Sequence, residues 1–254
     1  MRKSKTTNLP APYLKRLSVR EDGSFGEQYP FNLPWLHKDF VLDFTTPVTI
    51  VVGENGTGKS TLIEAIAALC GYDEAGGGKG YMPVDHSRAL DRSGGLLAGA
   101  LRAAWLPKVT AGWFFRAESF FSVARFLDEA ARDAHAAPPD FLSWSHGEGF
   151  VRFFEERMSR QGIYFLDEPE SALSPKRQLE LLRLLHQIQA SASAQIIMAT
   201  HSPILMAVPG ARLLEITRGG LAETALRDTR HFRLYQDFTS DPEDFVERAL
   251  RDEI

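Results

Sequence analysis

The chain has 254 residues, 44% of them apolar and 24% charged, and a formal net charge of -4. That composition supplies ample material for a buried core and excludes global disorder, and the length suits one α/β domain with an inserted helical lobe better than two independent domains. The slight acidity gives no whole-molecule attraction to nucleic acid or to an anionic membrane, which leaves only local basic patches to consider.

The first stretch, residues 1–12, is basic and polar with no apolar run behind it, and reads as a frayed end rather than a secretory signal. Residues 13–20 predict an edge strand and residues 41–44 a second strand. Val48, Thr49, Ile50, Val51 and Val52 form a continuous, mostly β-branched run, as expected of a strand buried on both faces of a parallel sheet. Beyond a glycine-rich loop, Leu62, Ile63, Ile66 and Leu69 recur at helical spacing, and Gly71 is a suitable stop. Cys70 is the lone cysteine. It excludes an internal disulfide, suits a reducing cytoplasm, and reads as a small buried residue on that helix.

Residues 73–80 are rich in glycine, and Ser93, Gly94 and Gly95 punctuate a second loop, so the segment between is expected on the surface and mobile. The apolar-leaning residues 94–106 contain Arg102 and are too short to cross a bilayer, so any membrane role needs a separate chain. A strand at 112–115 and helices at 119–134 and 150–160 follow. Residues 163–166 predict a buried strand, 175–189 a helix with Leu179, Leu182 and Leu185 on its apolar face, and 196–199 another strand. From Asp241-Pro242-Glu243 a last helix starts, carrying Phe245, Val246 and Leu250, and is expected to pack at the C-terminus. Alternating strands and helices imply a mainly parallel, helix-covered sheet.

Gly53-Glu54-Asn55-Gly56-Thr57-Gly58-Lys59-Ser60 matches G-x-x-x-x-G-K-[ST] at every fixed position, between a strand and a helix. Loop N–H groups and the helix N-terminus jointly attract phosphate oxygens, and the glycines permit positive φ and close backbone approach. Lys59 is expected on the β and γ phosphates of ATP, Ser60 on Mg²⁺ and Thr61 on the α phosphate. Ile163-Tyr164-Phe165-Leu166-Asp167-Glu168 is an apolar run ending in two acids, as when a buried strand emerges at the ligand-binding edge of a sheet. Asp167 is the expected Mg²⁺ acid, and Glu168 the group that orients and deprotonates the attacking water.

In this order the motifs resemble the ABC-type ATPases of the P-loop NTPase superfamily over roughly residues 40–205. Asp167-Glu168-Pro169 followed by Glu170-Ser171-Ala172-Leu173-Ser174 looks like that class's Walker B and D-loop segment, and Thr200-His201-Ser202 stands where the class has its switch histidine. The resemblance implies a single ABC-type domain over residues 1–254, with a mainly parallel sheet, an antiparallel edge and an inserted helical lobe at 73–160. It implies that His201 senses the γ phosphate. Ser145-His146-Gly147-Glu148-Gly149 would be the signature motif, with Ser145 and Gly147 capping the nucleotide of a second chain in an ATP-dependent homodimer.

Departures exist. The glutamine expected after the strand at 112–115 is replaced by Arg116-Ala117-Glu118-Ser119, which leaves Glu118 as a metal or water contact, and Ser174 stands where many D-loops carry aspartate. These features resemble small stand-alone bacterial ATPases more than transporter subunits. The leading reading is a cytoplasmic switch ATPase in genome maintenance, defence or another nucleic-acid-linked process, with a nucleic-acid or protein partner left open. About 85 residues separate the loop from the signature, too few for a long coiled-coil arm. A transporter subunit and a slow ATP-dependent sensor are the alternatives. A P-loop kinase would need neither His201 nor the 145–149 segment. Arg88, Arg92 and Arg102, and Arg227, Arg230 and Arg233, form basic clusters for which solvated surface charge is the commoner explanation. Tyr13, Tyr29, Phe31 and Trp35 are aromatic candidates for stacking on adenine, with core packing as the default.

Overall fold

The computed structural model describes residues 9–21, 26–79, 93–117, 146–217 and 219–253. Two sheets are built. In the smaller, β1 (Leu14–Val19) lies between β2 (Val41–Asp43) and β4 (Leu101–Trp105), antiparallel to both. β1 was expected at an edge. It is central because 101–105, legible only as part of an apolar stretch, extends into a strand with Leu101 buried and Arg102 exposed.

The larger sheet has the order β5-β6-β7-β3-β8-β9, formed by β5 (Gly112–Arg116), β6 (Ile163–Asp167), β7 (Gln195–Ala199), β3 (Val48–Val52), β8 (Arg212–Thr217) and β9 (Gly220–Glu223). The first five are parallel, and β9 closes the edge as an antiparallel hairpin with β8. Every residue of β3, β6 and β7 is buried. Successive side chains point to opposite faces. Accordingly Ile50, Leu166 and Met198 enter one core with Phe153, Phe154, Leu181 and Leu185, while Val51, Phe165 and Ile197 enter the other with Leu62, Ile66 and Trp35.

Helices cover both faces. α1 (Lys59–Leu69) and α2 (Ser93–Ala100) lie on the second core, and α3 (His146–Met158) and α4 (Pro175–Ser191) on the first. The expected loop at Ser93-Gly94-Gly95 is instead the start of α2. A Cβ on Gly94 would lie 2.4 Å from Glu64 Cβ, so this glycine serves a close helix contact with α1 rather than a turn. On α4 the buried stripe is Leu181, Leu185 and Ile188, while Leu179 stays 46% exposed. Cys70 caps α1, buried and free, its thiol pushed up to about 12 by burial.

Between 73 and 160 the described residues supply α2, β4, β5 and α3, so this stretch feeds one strand into each sheet as well as helices. The helix expected at 119–134 and the surface segment at 81–92 fall outside the described residues. α5 (Pro203–Met206) leads into β8, and α6 (Arg230–Ser240) and α7 (Pro242–Leu250) end the chain. α7 starts as expected, with Asp241 accepting from Asp244 N–H at 3.1 Å. It buries no residue of its own, and Phe245 meets Phe238 of α6 at 5.6 Å between rings, so it packs on its neighbour helix and not on the core. Among the described residues no helix is long and apolar enough to cross a membrane.

One buried polar side chain ties the two sheets together. Gln195 Oε1 accepts from Tyr13 N–H and Leu14 N–H, each at 2.8 Å, and its Nε2 donates to Leu14 carbonyl at 3.1 Å. A leucine there would strand these buried backbone groups without partners. Gln195→Leu is therefore expected to lower the unfolding free energy by about 3 kcal/mol, read from urea melts. A loss under about 0.5 kcal/mol, the range of neutral surface changes, contradicts this account.

Candidate nucleotide site

β3 delivers the chain into a loop whose glycines all take positive φ: +153° at Gly53, +76° at Gly56 and +88° at Gly58. Gly58 is also pressed from outside, since a Cβ there would come within 2.7 Å of Leu33 Cδ2 and 3.2 Å of Trp35 Nε1. The loop curls around one carbonyl. Glu54 carbonyl accepts from Thr57 Oγ1 at 2.8 Å and from Lys59 Nζ at 3.1 Å, and Trp35 Nε1–H donates to Thr57 carbonyl at 2.9 Å. Among the described residues no side chain caps α1 at Gly58, so the first amides of this helix are left as a partial positive charge.

Lys59 is only 4% exposed, and its ammonium is held below the usual lysine range by burial, opposed by Glu168, Asp167, Glu170 and Glu54. Ser60 Oγ donates to Asp167 Oδ1 at 3.0 Å, joining the loop to the end of β6. Two hard oxygens meeting at one point fit Mg²⁺, which takes one or two protein oxygens and fills its remaining positions with phosphate and water. Among the described residues no group of three or more His, Cys, Asp or Glu forms an all-protein cage.

Arg116, which opens the segment that replaces the expected glutamine but carries no expected role, ends β5 directly across from Asp167. Its Nε lies 3.7 Å from Asp167 Oδ2, and its Nη1 lies 2.6 Å from Glu64 Oε1 and donates to Glu74 carbonyl at 2.9 Å. A cation thus flanks the Asp167 carboxylate from the strand where a glutamine was expected to follow. Glu118 and Ser145 lie outside the described residues, and Gly147 stands in the first turn of α3.

Glu168 adopts left-handed backbone, φ 48° and ψ 53°, as the chain turns from β6 into a 3-10 segment at Pro169–Ala172. Strain of this kind, of order 1 kcal/mol for a non-glycine residue, concentrates at functional sites. Its Oε1 lies 3.5 Å from His201 Nε2. Glu170, not a site residue in the sequence analysis, is the half-buried clamp behind them: Oε1 accepts from His201 N–H at 2.5 Å and Oε2 from Thr200 Oγ1 at 2.7 Å. Burial pushes the Glu170 carboxyl up, against those hydrogen bonds.

α6 also reaches the site. His231 Nε2 lies 2.8 Å from His201 Nδ1, and Arg230 Nη1 lies 3.4 Å from Glu54 Oε1. Both imidazoles are held below the usual histidine range, chiefly by burial. Of the basic residues near Arg230, Arg233 pairs with Asp228 at 2.9 Å and Arg227 lies over the Phe232 ring, so their charges are engaged within the chain. Of the aromatic candidates, Tyr13 and Trp35 are fully buried, whereas Tyr29 is 45% exposed and its hydroxyl is hydrogen-bonded to Thr61 Oγ1.

β7 lies between β3 and β6, so Lys59, Asp167 and His201 arrive from three adjacent strands at one carboxyl edge of a mainly parallel sheet, the edge at which open α/β sheets bind ligands. Comparison with known proteins finds matches to parts of the chain. An AAA-domain family model matches residues 31–92, and a second AAA-domain model, whose description associates it with an AbiEii toxin of a type IV TA system, matches residues 141–207. Methionine import ATP-binding protein MetN 1 of Pseudomonas fluorescens is 30% identical over 169 residues, 59% of this chain and 49% of its own length. MetN of Xanthomonas axonopodis pv. citri is 28% identical over 199 residues, 68% of this chain and 56% of its own. The chain thus spans about half the length of these curated relatives. An SMC head domain from Thermotoga maritima overlays 84% of this chain and 98% of its own at 18% identity, with a TM-score of 0.43.

Proposed function

We propose that this chain binds MgATP on residues 53–61, hydrolyses it, and uses the cycle as a switch between a closed pair of chains and an open state. The observation that carries the reading is the 3.0 Å contact between Ser60 Oγ and Asp167 Oδ1, which brings residues 107 apart in sequence to the one point a phosphate-bound metal would share. Lys59 neutralises the β and γ phosphates, Ser60 and Asp167 hold the metal, and Thr61 meets the α phosphate. Bound Mg²⁺ supplies further neutralisation of the charge on the transferred group.

Glu168, beside His201 and part exposed, orients the attacking water and takes its proton. His201 donates to the γ phosphate. Phosphoryl transfer to water then depends on positioning and electrostatics rather than on covalent chemistry. Ser145 and Gly147 would complete the site of a partner chain, Gly147 from the first turn of α3, and Glu118 would add a metal or water contact. Tyr29, exposed beside Thr61, is positioned better than the buried Tyr13 and Trp35 to meet the base. Closure on ATP and opening after hydrolysis would give a bistable element able to move a nucleic-acid or protein partner.

A transporter-subunit reading is favoured by the MetN relatives, and disfavoured by Arg116-Ala117-Glu118 where a transporter's coupling glutamine stands. Phosphate release from MgATP tests the site. Asp167→Asn is expected to slow turnover by about a hundredfold while magnesium-free ATP still binds. Undiminished turnover in that variant would rule out this metal site and with it the proposed chemistry.

A further inference from the structure

α6 brings a second histidine into the site, and the hydrogen-bond chemistry around it is directional. This inference rests on the γ-phosphate contact proposed for His201. His231 Nε2 and His201 Nδ1 are 2.8 Å apart, so one of the two carries the hydrogen and the other accepts it. The far nitrogen of His201, Nε2, is shut off from solvent without a hydrogen-bond partner among the described residues, and lies 3.5 Å from Glu168 Oε1. A lone pair at that nitrogen would face a carboxylate, whereas an N–H there is attracted to it. Burial and the nearby Lys59 ammonium favour a neutral His201 ring, which carries a single hydrogen. If that hydrogen sits on Nε2, Nδ1 must accept.

The donor is then His231, and the first turn of α6 is built to hold it there. Thr229 caps the helix by accepting from Phe232 N–H at 3.2 Å, and Arg230 is tied across the phosphate loop to Glu54. We propose that His231 is a positioning residue that donates from Nε2 to His201 Nδ1, fixing the tautomer in which His201 Nε2 carries the hydrogen that meets a terminal phosphate oxygen. A phosphate oxygen only accepts, so the other tautomer of His201 would present a lone pair to it.

The test compares wild type with His231→Gln, His231→Glu and His231→Ala in MgATP turnover and MgATP binding. Glutamine restores an N–H donor, while an ionised glutamate of similar reach can only accept. The Glu and Ala variants are expected to lower kcat by about tenfold to a hundredfold with MgATP affinity little changed, and Gln to recover most of that loss. Equal loss in Gln and Glu marks a packing role and overturns the proposal, as does wild-type turnover in all three. Nitrogen-15 NMR of histidine-labelled protein reads the tautomer without any turnover: wild type is expected to show His201 protonated on Nε2, with a mixture in His231→Ala, and a wild-type His201 protonated on Nδ1 refutes it. His201→Ala separates the two levels. Full turnover in that variant removes the phosphate contact from the proposed function, while the NMR spectrum still decides the His231 pairing.

Discussion

Lys59→Ala protein is expected to bind MgATP about a thousandfold more weakly than wild type, a loss of roughly 4 kcal/mol, with hydrolysis falling below detection. The ammonium is buried, faces Asp167, Glu168, Glu170 and Glu54, and donates to the loop's own Glu54 carbonyl. Phosphates entering the loop would add negative charge around the only lysine that the motif provides. Charge-assisted contacts to two phosphate groups account for the size of the loss. Because Lys59 opens α1 and its stem is buried, the variant must first be shown to keep its unfolding midpoint within a few degrees, the shift of about 1 kcal/mol. Titration calorimetry with MgATP then decides. Binding within a few-fold of wild type would mean that the loop is not the phosphate cradle.

The second large effect belongs to Glu168. Replacement by glutamine keeps the shape of the side chain and its capacity to hydrogen-bond but removes the proposed base, so turnover is expected to fall about a thousandfold while ATP binding persists. Under the switch reading the closed state then accumulates, and light scattering should find a dimer in Glu168→Gln protein only when MgATP is present, with Lys59→Ala as the non-binding control. A monomer that still binds ATP would leave the chain dependent on a partner subunit or acting as a nucleotide sensor. Wild-type turnover in Glu168→Gln would move the base elsewhere, and Glu170 is a poor substitute because both its oxygens already accept from Thr200 and His201.

Much of the site is legible in local sequence because its parts obey local physics. A β-branched run long enough for one buried strand, glycines at the three positions that take positive φ, and an apolar run ending in two acids each carry their meaning within eight residues. Where the reading slipped, the cause was a non-local contact. Gly94 resembles a turn glycine until Glu64, thirty positions earlier, is found against it. Residues 101–105 are only part of an apolar-leaning stretch until β1 pairs with them, which also moves β1 from edge to centre. The apolar face of α4 runs through Leu181 and Ile188 rather than Leu179, because the sheet beneath selects the stripe among several leucines at helical spacing.

What the sequence determined by itself is the strand, loop and helix around residues 48–69, the acidic end of β6, and the class of fold that can join them, since backbone conformational preference and hydrophobic periodicity act over short spans. Only the tertiary structure decided which side chains share the site. Arg116 gains its role from Glu64 and Asp167, Glu170 from the backbone of His201, Gln195 from the backbone of Tyr13 and Leu14, and His231 from an imidazole thirty residues away. A polar residue's meaning lies in the partner that satisfies its hydrogen bonds once water is excluded, and that partner is chosen by the packing of distant elements.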